Sequence, residues 1–208
     1  MLTVLSIVGL VVVIWFTPVF GVREVDVTGI TDLTADEVRG AAAIEEGTPL
    51  IRLDVAAVES RVRRLARVAG VRVERSLPGT VRLTVDERDP VGVVKAPDGA
   101  HLLDSTGKDY AVVAQPPPAL PELKLSTDER AVRAAVRVLT GLPAELRGEV
   151  QAVSSSTGSD VKLSLTAGRE VRWGTAENTA RKAAVLLVLL TRQGTSFDVS
   201  SPELPTVS

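Results

Sequence analysis

The sequence predicts an α+β protein: an N-terminal transmembrane helix, a three-stranded sheet with two helices, and then a mixed β-rich domain with helices of its own. Three observations carry this. Residues Met1 to Val22 hold no charged side chain. From Val22 onward, short runs alternate apolar and polar residues, the period of half-buried strands. Between those runs, apolar residues recur every three or four positions behind Ser, Thr or Asp, as in capped amphipathic helices.

The first segment runs Leu2-Thr3-Val4-Leu5-Ser6-Ile7-Val8-Gly9-Leu10-Val11-Val12-Val13-Ile14-Trp15-Phe16. A helix of about 20 apolar residues spans the hydrocarbon layer of a bilayer. Trp15 and Phe16 suit the headgroup level at its end. The competing reading is a cleaved signal peptide, which needs a basic stretch ahead of the apolar run and small residues at a cleavage site. The first charged residue is Arg23, and Thr17-Pro18-Val19-Phe20-Gly21-Val22 is bulky. The expectation is a lipid anchor through residues 2–20.

Val22-Arg23-Glu24-Val25-Asp26-Val27-Thr28-Gly29 reads as a strand ended by Gly29. Thr34 and Glu37 have capping-box spacing for a short helix. Gly47-Thr48-Pro49 breaks it, and Asp54 caps a second helix with an apolar stripe of Val55, Val58, Val62, Leu65 and Val68. Arg61, Arg63, Arg64 and Arg67 occupy much of its other side. They read as a solvated face, with contact to anionic headgroups or wall polymer as the sharper alternative. Val71–Arg75 and Val81–Glu87 then form a hairpin around Pro78-Gly79. The order strand, helix, helix, strand, strand lets two helices cover one face of a three-stranded sheet.

The second unit opens with a hairpin, Val91–Val94 and His101–Leu103, around Pro97-Asp98-Gly99. Asp104-Ser105-Thr106-Gly107 is another turn, and Pro116-Pro117-Pro118 enforces extended geometry. Ser126 with Glu129 has capping-box spacing, and Val132, Ala135, Val136 and Leu139 form the stripe of a helix stopping at Gly141. The Ser154–Ser159 stretch reads as a flexible loop. Val161, Leu163 and Leu165 alternate as a strand, and Gly168 turns the chain into Glu170–Trp173. Thr175 is expected to cap a last helix, Ala176–Thr191, whose apolar Ala183–Leu190 stretch is too short to span a bilayer. It reads as a buried helix bounded by Arg181, Lys182 and Arg192. Thr195-Ser196-Phe197-Asp198-Val199 is a short last strand, and Pro202 and Pro205 mark a loose tail.

Composition narrows function. Aromatics are 3% of a chain that is 45% hydrophobic, so the core is built mostly of Val, Leu and Ala. Cys is 0 and His is 1, which excludes disulfides, thiolate nucleophiles and Cys- or His-rich metal sites. A formal net charge of −2 provides no positive field for nucleic acid. No phosphate-binding loop motif is present. Asp86, Glu87 and Asp89 are the densest carboxylates, but neighbours on a strand point to opposite faces. His101 lies beside a turn without a Ser or Cys partner that spacing identifies. The serines lack the G-x-S-x-G context. No cofactor, small-molecule substrate or catalytic residue is expected, whereas exposed sheet edges suit strand-adding partners.

The chain resembles the FtsQ/DivIB bacterial cell-division family. The resemblance rests on the anchor, Val22–Gly29, Gly47-Thr48-Pro49-Leu50-Ile51-Arg52-Leu53-Asp54 and Arg75-Ser76-Leu77-Pro78-Gly79-Thr80-Val81. It continues in Glu87-Arg88-Asp89-Pro90-Val91, Leu103–Gly107, Leu120-Pro121-Glu122-Leu123 and Asp198-Val199-Ser200-Ser201-Pro202. It implies an anchor at 1–21, a POTRA domain at 22–90, an FtsQ-type β-domain at 91–201 and a loose tail at 202–208. It further implies a non-enzymatic bitopic scaffold of the divisome, N-terminus inside and bulk outside the cytoplasmic membrane, enriched at the septum. That scaffold binds the FtsB/FtsL coiled-coil pair and other membrane division proteins, and links to septal wall synthesis. In the family the last strand pairs with an FtsB segment, a role that falls here on Thr195, Ser196, Phe197, Asp198 and Val199. Phe197→Pro is then expected to abolish partner capture. The rival readings are a POTRA-type module of another envelope system, an exported wall-modifying enzyme and a lipid-surface binder acting through the four arginines.

Overall fold

A computed structural model describes residues 21–208. The expected membrane anchor lies outside the described residues. Among those described, no helix is long and apolar enough to cross a membrane. The described residues divide into two compact units, one ending at Arg88 and the other spanning Asp89–Ser208.

The first unit follows the expected order. Strand β1 (Glu24–Thr28), helix α1 (Ala35–Ala42), helix α2 (Val55–Val62), strand β2 (Val68–Ser76) and strand β3 (Thr80–Glu87) succeed one another. The sheet order is β1-β3-β2, with β1 parallel and β2 antiparallel to the central β3. Along β3, Val81, Leu83 and Val85 are buried, and the residues between them, Arg82 and Thr84, are exposed. The buried face meets Val38 and Ala42 of α1 and Val58 and Val62 of α2. The capping box at Thr34 is formed in both directions: Glu37 N–H donates to the Thr34 side chain, and Thr34 N–H donates to Glu37 Oε2 at 2.8 Å. The Asp54 cap accepts from Ala57 N–H at 3.0 Å.

Two details differ from the expectation. Helix α2 ends at Val62; Leu65 lies in the turn that follows, and Val68 opens β2. The arginines are also mostly occupied. Arg61 donates twice to Ala42 O, at 2.8 and 2.7 Å, and so closes the C-terminus of α1. Arg63 pairs with Glu59 at 2.9 Å and Arg67 with Asp32 at 2.7 Å. Three of the four basic groups therefore hold the unit together, which weakens the headgroup reading.

Glu87, at the end of β3, accepts backbone N–H bonds from Thr31, Asp32 and Leu33 at 2.9, 3.0 and 3.0 Å. Burial pulls its pKa upward, but these three donors and the nearby Arg67 together hold it below the ordinary carboxylate range. Its contribution to stability is complete above the unfolded value and is lost as pH falls through the lowered one. Glu87→Ala is expected to cost about 1 kcal/mol, at the low end for bared donors because water reaches this loop. Thermal unfolding at pH 7 and pH 3 checks this, since the difference from wild type should shrink at pH 3.

The second unit is built on one nine-stranded sheet. Its strands are β4 (Pro90–Ala96), β5 (Gly99–Asp104), β6 (Asp109–Val113), β7 (Glu122–Leu125), β8 (Val150–Ser155), β9 (Val161–Leu165), β10 (Glu170–Gly174), β11 (Ser196–Asp198) and β12 (Thr206–Val207). Helices α3 (Glu129–Gly141) and α4 (Ala144–Arg147) lie between β7 and β8, and α5 (Thr179–Leu189) between β10 and β11. The sheet order is β12-β11-β10-β9-β8-β7-β4-β5-β6. Register aligns Leu123, Val153, Leu163, Val171 and Phe197 in a cross-strand row. All five are buried, in one cluster with Ala135, Val138 and Leu139 of α3 and Ala183, Leu186 and Leu189 of α5.

Several local expectations are corrected here. Asp128, not Ser126, caps α3, accepting from Arg130 N–H at 2.9 Å. The helix starts two residues later than that spacing requires, so Glu129 falls in its first position and cannot reach back. Ser126 instead donates to Ser156 O at 2.8 Å. The serine stretch is ordered: Ser154 and Ser155 end β8, and Asp160 accepts from Thr157 N–H at 2.7 Å, from Thr157 Oγ1 at 3.0 Å, and from both the backbone and hydroxyl of Ser156. Those donors, led by the Ser156 hydroxyl, hold the Asp160 carboxyl far below the usual range. Helix α5 begins at Thr179 behind Asn178, which is left-handed (φ 54°) and makes no side-chain cap. Lys182 does not bound the apolar stretch at the surface but is 2% exposed. The helix is buried on one side only, for Val188 is 62% exposed.

Candidate interaction surface

The last three strands decide where another chain could attach. Strand β10 runs parallel to β11, with Val171 opposite Phe197. On its other side β11 meets β12 antiparallel, with Phe197 opposite Val207. Ser196 and Ser208 exchange backbone hydrogen bonds in both directions at 2.9 Å, and Thr195 N–H donates to Ser208 O at 3.0 Å. Glu170 N–H donates to Thr195 O at 2.8 Å, and Val199 N–H to Arg172 O at 3.0 Å.

The expected partner strand, Thr195, Ser196, Phe197, Asp198 and Val199, is thus an internal strand and not an edge. Phe197 is 1% and Val199 0% exposed, and both belong to the core. The loose tail is also corrected: Thr206–Val207 completes the sheet, because a strand hydrogen-bonded on one side only is stabilised by any chain able to cover it. Gly194 permits this closure. A Cβ there would meet Val207 Cγ1 at 2.5 Å and Ser208 O at 3.3 Å.

At this end of the sheet the open edge is therefore β12, as β6 is at the other. In antiparallel pairs, residues that exchange hydrogen bonds alternate with residues whose polar groups point away. Ser196 and Ser208 are an exchanging pair. Val207 then lies in the alternate position, with its N–H and C=O directed to the outside. The connection from β11 to β12 is held at both ends. Asp198 Oδ1 accepts from Ser200 N–H at 2.9 Å and Ser200 Oγ at 2.6 Å, and Glu203 pairs with Arg181 of α5 at 3.4 Å. Leu204, beside that pair, is 81% exposed, and Val188 of α5 is 62% exposed. An unpaired strand edge with exposed apolar side chains on the neighbouring segments is chemistry for binding another polypeptide.

Among the described residues no group of three metal-ligating side chains converges. Glu87 is spent on three backbone donors. Arg130, Arg133 and Arg137 share a depression on α3, but Glu177 lines it too, Arg133 pairs with Glu129 at 2.9 Å, and Asp128 lies 3.9 Å from Arg130. The signal that marks the edge is present in the sequence only as Thr206-Val207-Ser208, too short to read as a strand.

A β-α-α-β-β unit followed by a sheet-based unit with helices defines a two-module α+β protein. Comparison with known proteins makes this specific. Residues 20–88 match the family described as POTRA domain, FtsQ-type, and residues 92–205 match Cell division protein FtsQ/DivIB, C-terminal. The chain belongs to the FtsQ/DivIB cell-division family. It is 42% identical over 208 residues to the cell division protein FtsQ of Mycobacteroides abscessus, covering 99% of this chain and 67% of that protein. It is 41% identical over 203 residues to FtsQ of Mycolicibacterium smegmatis, covering 96% of this chain and 61% of that protein. It is 32% identical over 201 residues to FtsQ of Corynebacterium glutamicum, covering 94% and 90%.

Proposed function

We propose that this chain is a non-enzymatic, single-pass scaffold of the bacterial divisome that recruits partners by strand addition at the outer edge of β12. The single observation that carries the reading is the sheet ending on Val207, whose outward N–H and C=O lack a neighbouring strand among the described residues. Family membership supports the cell-division role, and the match at residues 92–205 favours it over a POTRA module of another envelope system. The uncharged run at residues 2–20 is read as the anchor in the cytoplasmic membrane, with both units outside and the protein enriched at the septum. The partners are of the FtsB/FtsL type, coupled through them to septal wall synthesis.

Val207→Pro tests the mode. Proline removes the outward donor while taking no hydrogen bond from the pairing of β12 with β11. Capture of a purified FtsB/FtsL pair by the variant should weaken about tenfold or more, the equivalent of roughly 1.4 kcal/mol. Its thermal midpoint should stay close to wild type. Undiminished capture by the folded variant rules out strand addition at this edge. Septal enrichment of a fluorescent fusion, with filamentation on depletion, checks the wider role.

A further inference from the structure

The second unit has another end, and a side-chain cluster there is unexplained by partner binding. His101 stands on β5, next to the outermost strand β6. Its Nδ1 lies 2.6 Å from Asp109 Oδ2, at the start of β6, and its Nε2 lies 3.0 Å from Asp98 Oδ1, in the β4–β5 turn. A neutral imidazole carries one N–H, so it could donate to only one of these carboxylates and would turn a lone pair on the other. Only the imidazolium satisfies both. The ring sits between the two carboxylates, so no single point lies within ligand distance of all three groups, and the cluster is not a metal site.

We propose that His101 is a protonation-controlled clip that fastens the β4–β5 turn and the start of edge strand β6 to the sheet. The ladder explains why a clip matters there. Register is broken between Leu102 and Leu103, where Asp109 pairs out of step with the regular pairs Ala100–Val113, His101–Val112 and Leu102–Ala111. Strand β6 has a neighbour on one side only. The first residue of the edge strand is thus held by an irregular backbone pairing plus the His101 bond. Asp98 from the turn and Asp109 from β6 are the charged groups that act on the ring. Across the strands, β4 presents Val94 and β6 presents Val112, and Lys95 of β4 is engaged with Glu122 at 3.0 Å.

The hydrogen bond to Asp98, then that to Asp109, raises the His101 pKa above its ordinary value of about 6.5. A raised value means the clip is fully formed below the ordinary value and is lost as pH rises through the folded one. The edge of the sheet therefore loosens as pH rises through the raised His101 value.

Hydrogen exchange and histidine NMR on the full-length chain in detergent, from pH 5.5 to 8.5, test this. The His101 ring should titrate above the free value, and protection factors for residues 109–113 should fall severalfold as it deprotonates. His101→Gln offers donors from one amide nitrogen only, and they do not titrate. Its β6 protection should be low throughout and independent of pH. Asp98→Asn, a change on the exposed turn, should bring the ring back toward the ordinary value and shrink the pH effect. Wild-type β6 protection that is equal on both sides of the ring titration would overturn the proposal. So would retention of full low-pH protection by His101→Gln.

Discussion

Phe197→Ala should destabilise the C-terminal unit by about 3–5 kcal/mol, the range for truncating a buried aromatic ring. The ring is 1% exposed and fills the cross-strand row between Val171 and Val207. It belongs to the same cluster as Leu186 and Leu189 of α5, so the void cannot close without moving a helix against the sheet. The measurement is the urea midpoint at constant m-value. A loss below about 1 kcal/mol would mean that the site collapses freely and the ring anchors nothing. The same placement revises what Phe197→Pro reports. Strand β11 is bonded to β10 on one side and to residues 206–208 on the other. Proline at 197 therefore breaks the sheet itself, and loss of partner capture would follow from loss of structure. Val207→Pro separates the two effects because its missing donor faces outward.

Lys182→Met should cost about 2–4 kcal/mol, because it leaves one buried and one partly buried carbonyl without this donor. Lys182 Nζ donates to Trp173 O and Thr175 O, both at 2.9 Å, and the residue is 2% exposed. These bonds tie α5 to the end of β10, where the chain leaves the sheet through the left-handed Gly174 (φ 77°). Methionine retains the apolar stem and removes the donors and the charge, so the effect is not one of volume. Burial pushes the Lys182 pKa below its ordinary value of about 10.4, with Glu177 and Asp198 pulling the other way. Between the lowered and the ordinary value the unfolded chain binds more protons than the native one, so this group's contribution to stability rises with pH. Urea titrations from pH 8 to pH 10.5 should show that slope in wild type and not in Lys182→Met. A variant as stable as wild type would mean that water or a backbone shift satisfies both carbonyls.

Much of the first unit was legible because its signals are local. Thr34 with Glu37, Asp54 ahead of Val55, and the alternation of Val81, Leu83 and Val85 each act within a few residues. The second unit was harder. Strands β6, β7 and β8 are short, and no run within them is long enough to show a period against its surroundings. Each is specified by its neighbours: β7 gains its place by pairing parallel with both β4 and β8. The misread caps show the same limit. Ser126 and Thr175 have the right chemistry for capping, but each helix starts later than their spacing requires. Ser126 was claimed by Ser156 across a loop.

The candidate site was half legible. Sequence located the strand at residues 196–198 but took it for the last one. It placed the edge one strand too far in, since nothing in Thr206-Val207-Ser208 announces pairing with Ser196.

By itself the sequence determined the α+β class, the helix–strand order of the first unit and the family. These depend on hydrophobic period, short-range capping and residue type, all of which are written in adjacent positions. Tertiary structure alone decided which backbone groups remain unpaired, that Lys182 is buried among carbonyls, and that His101 stands between two aspartates. Each of those facts arises when residues distant in the chain compete for the same donor or acceptor, and only the folded arrangement settles which one is satisfied.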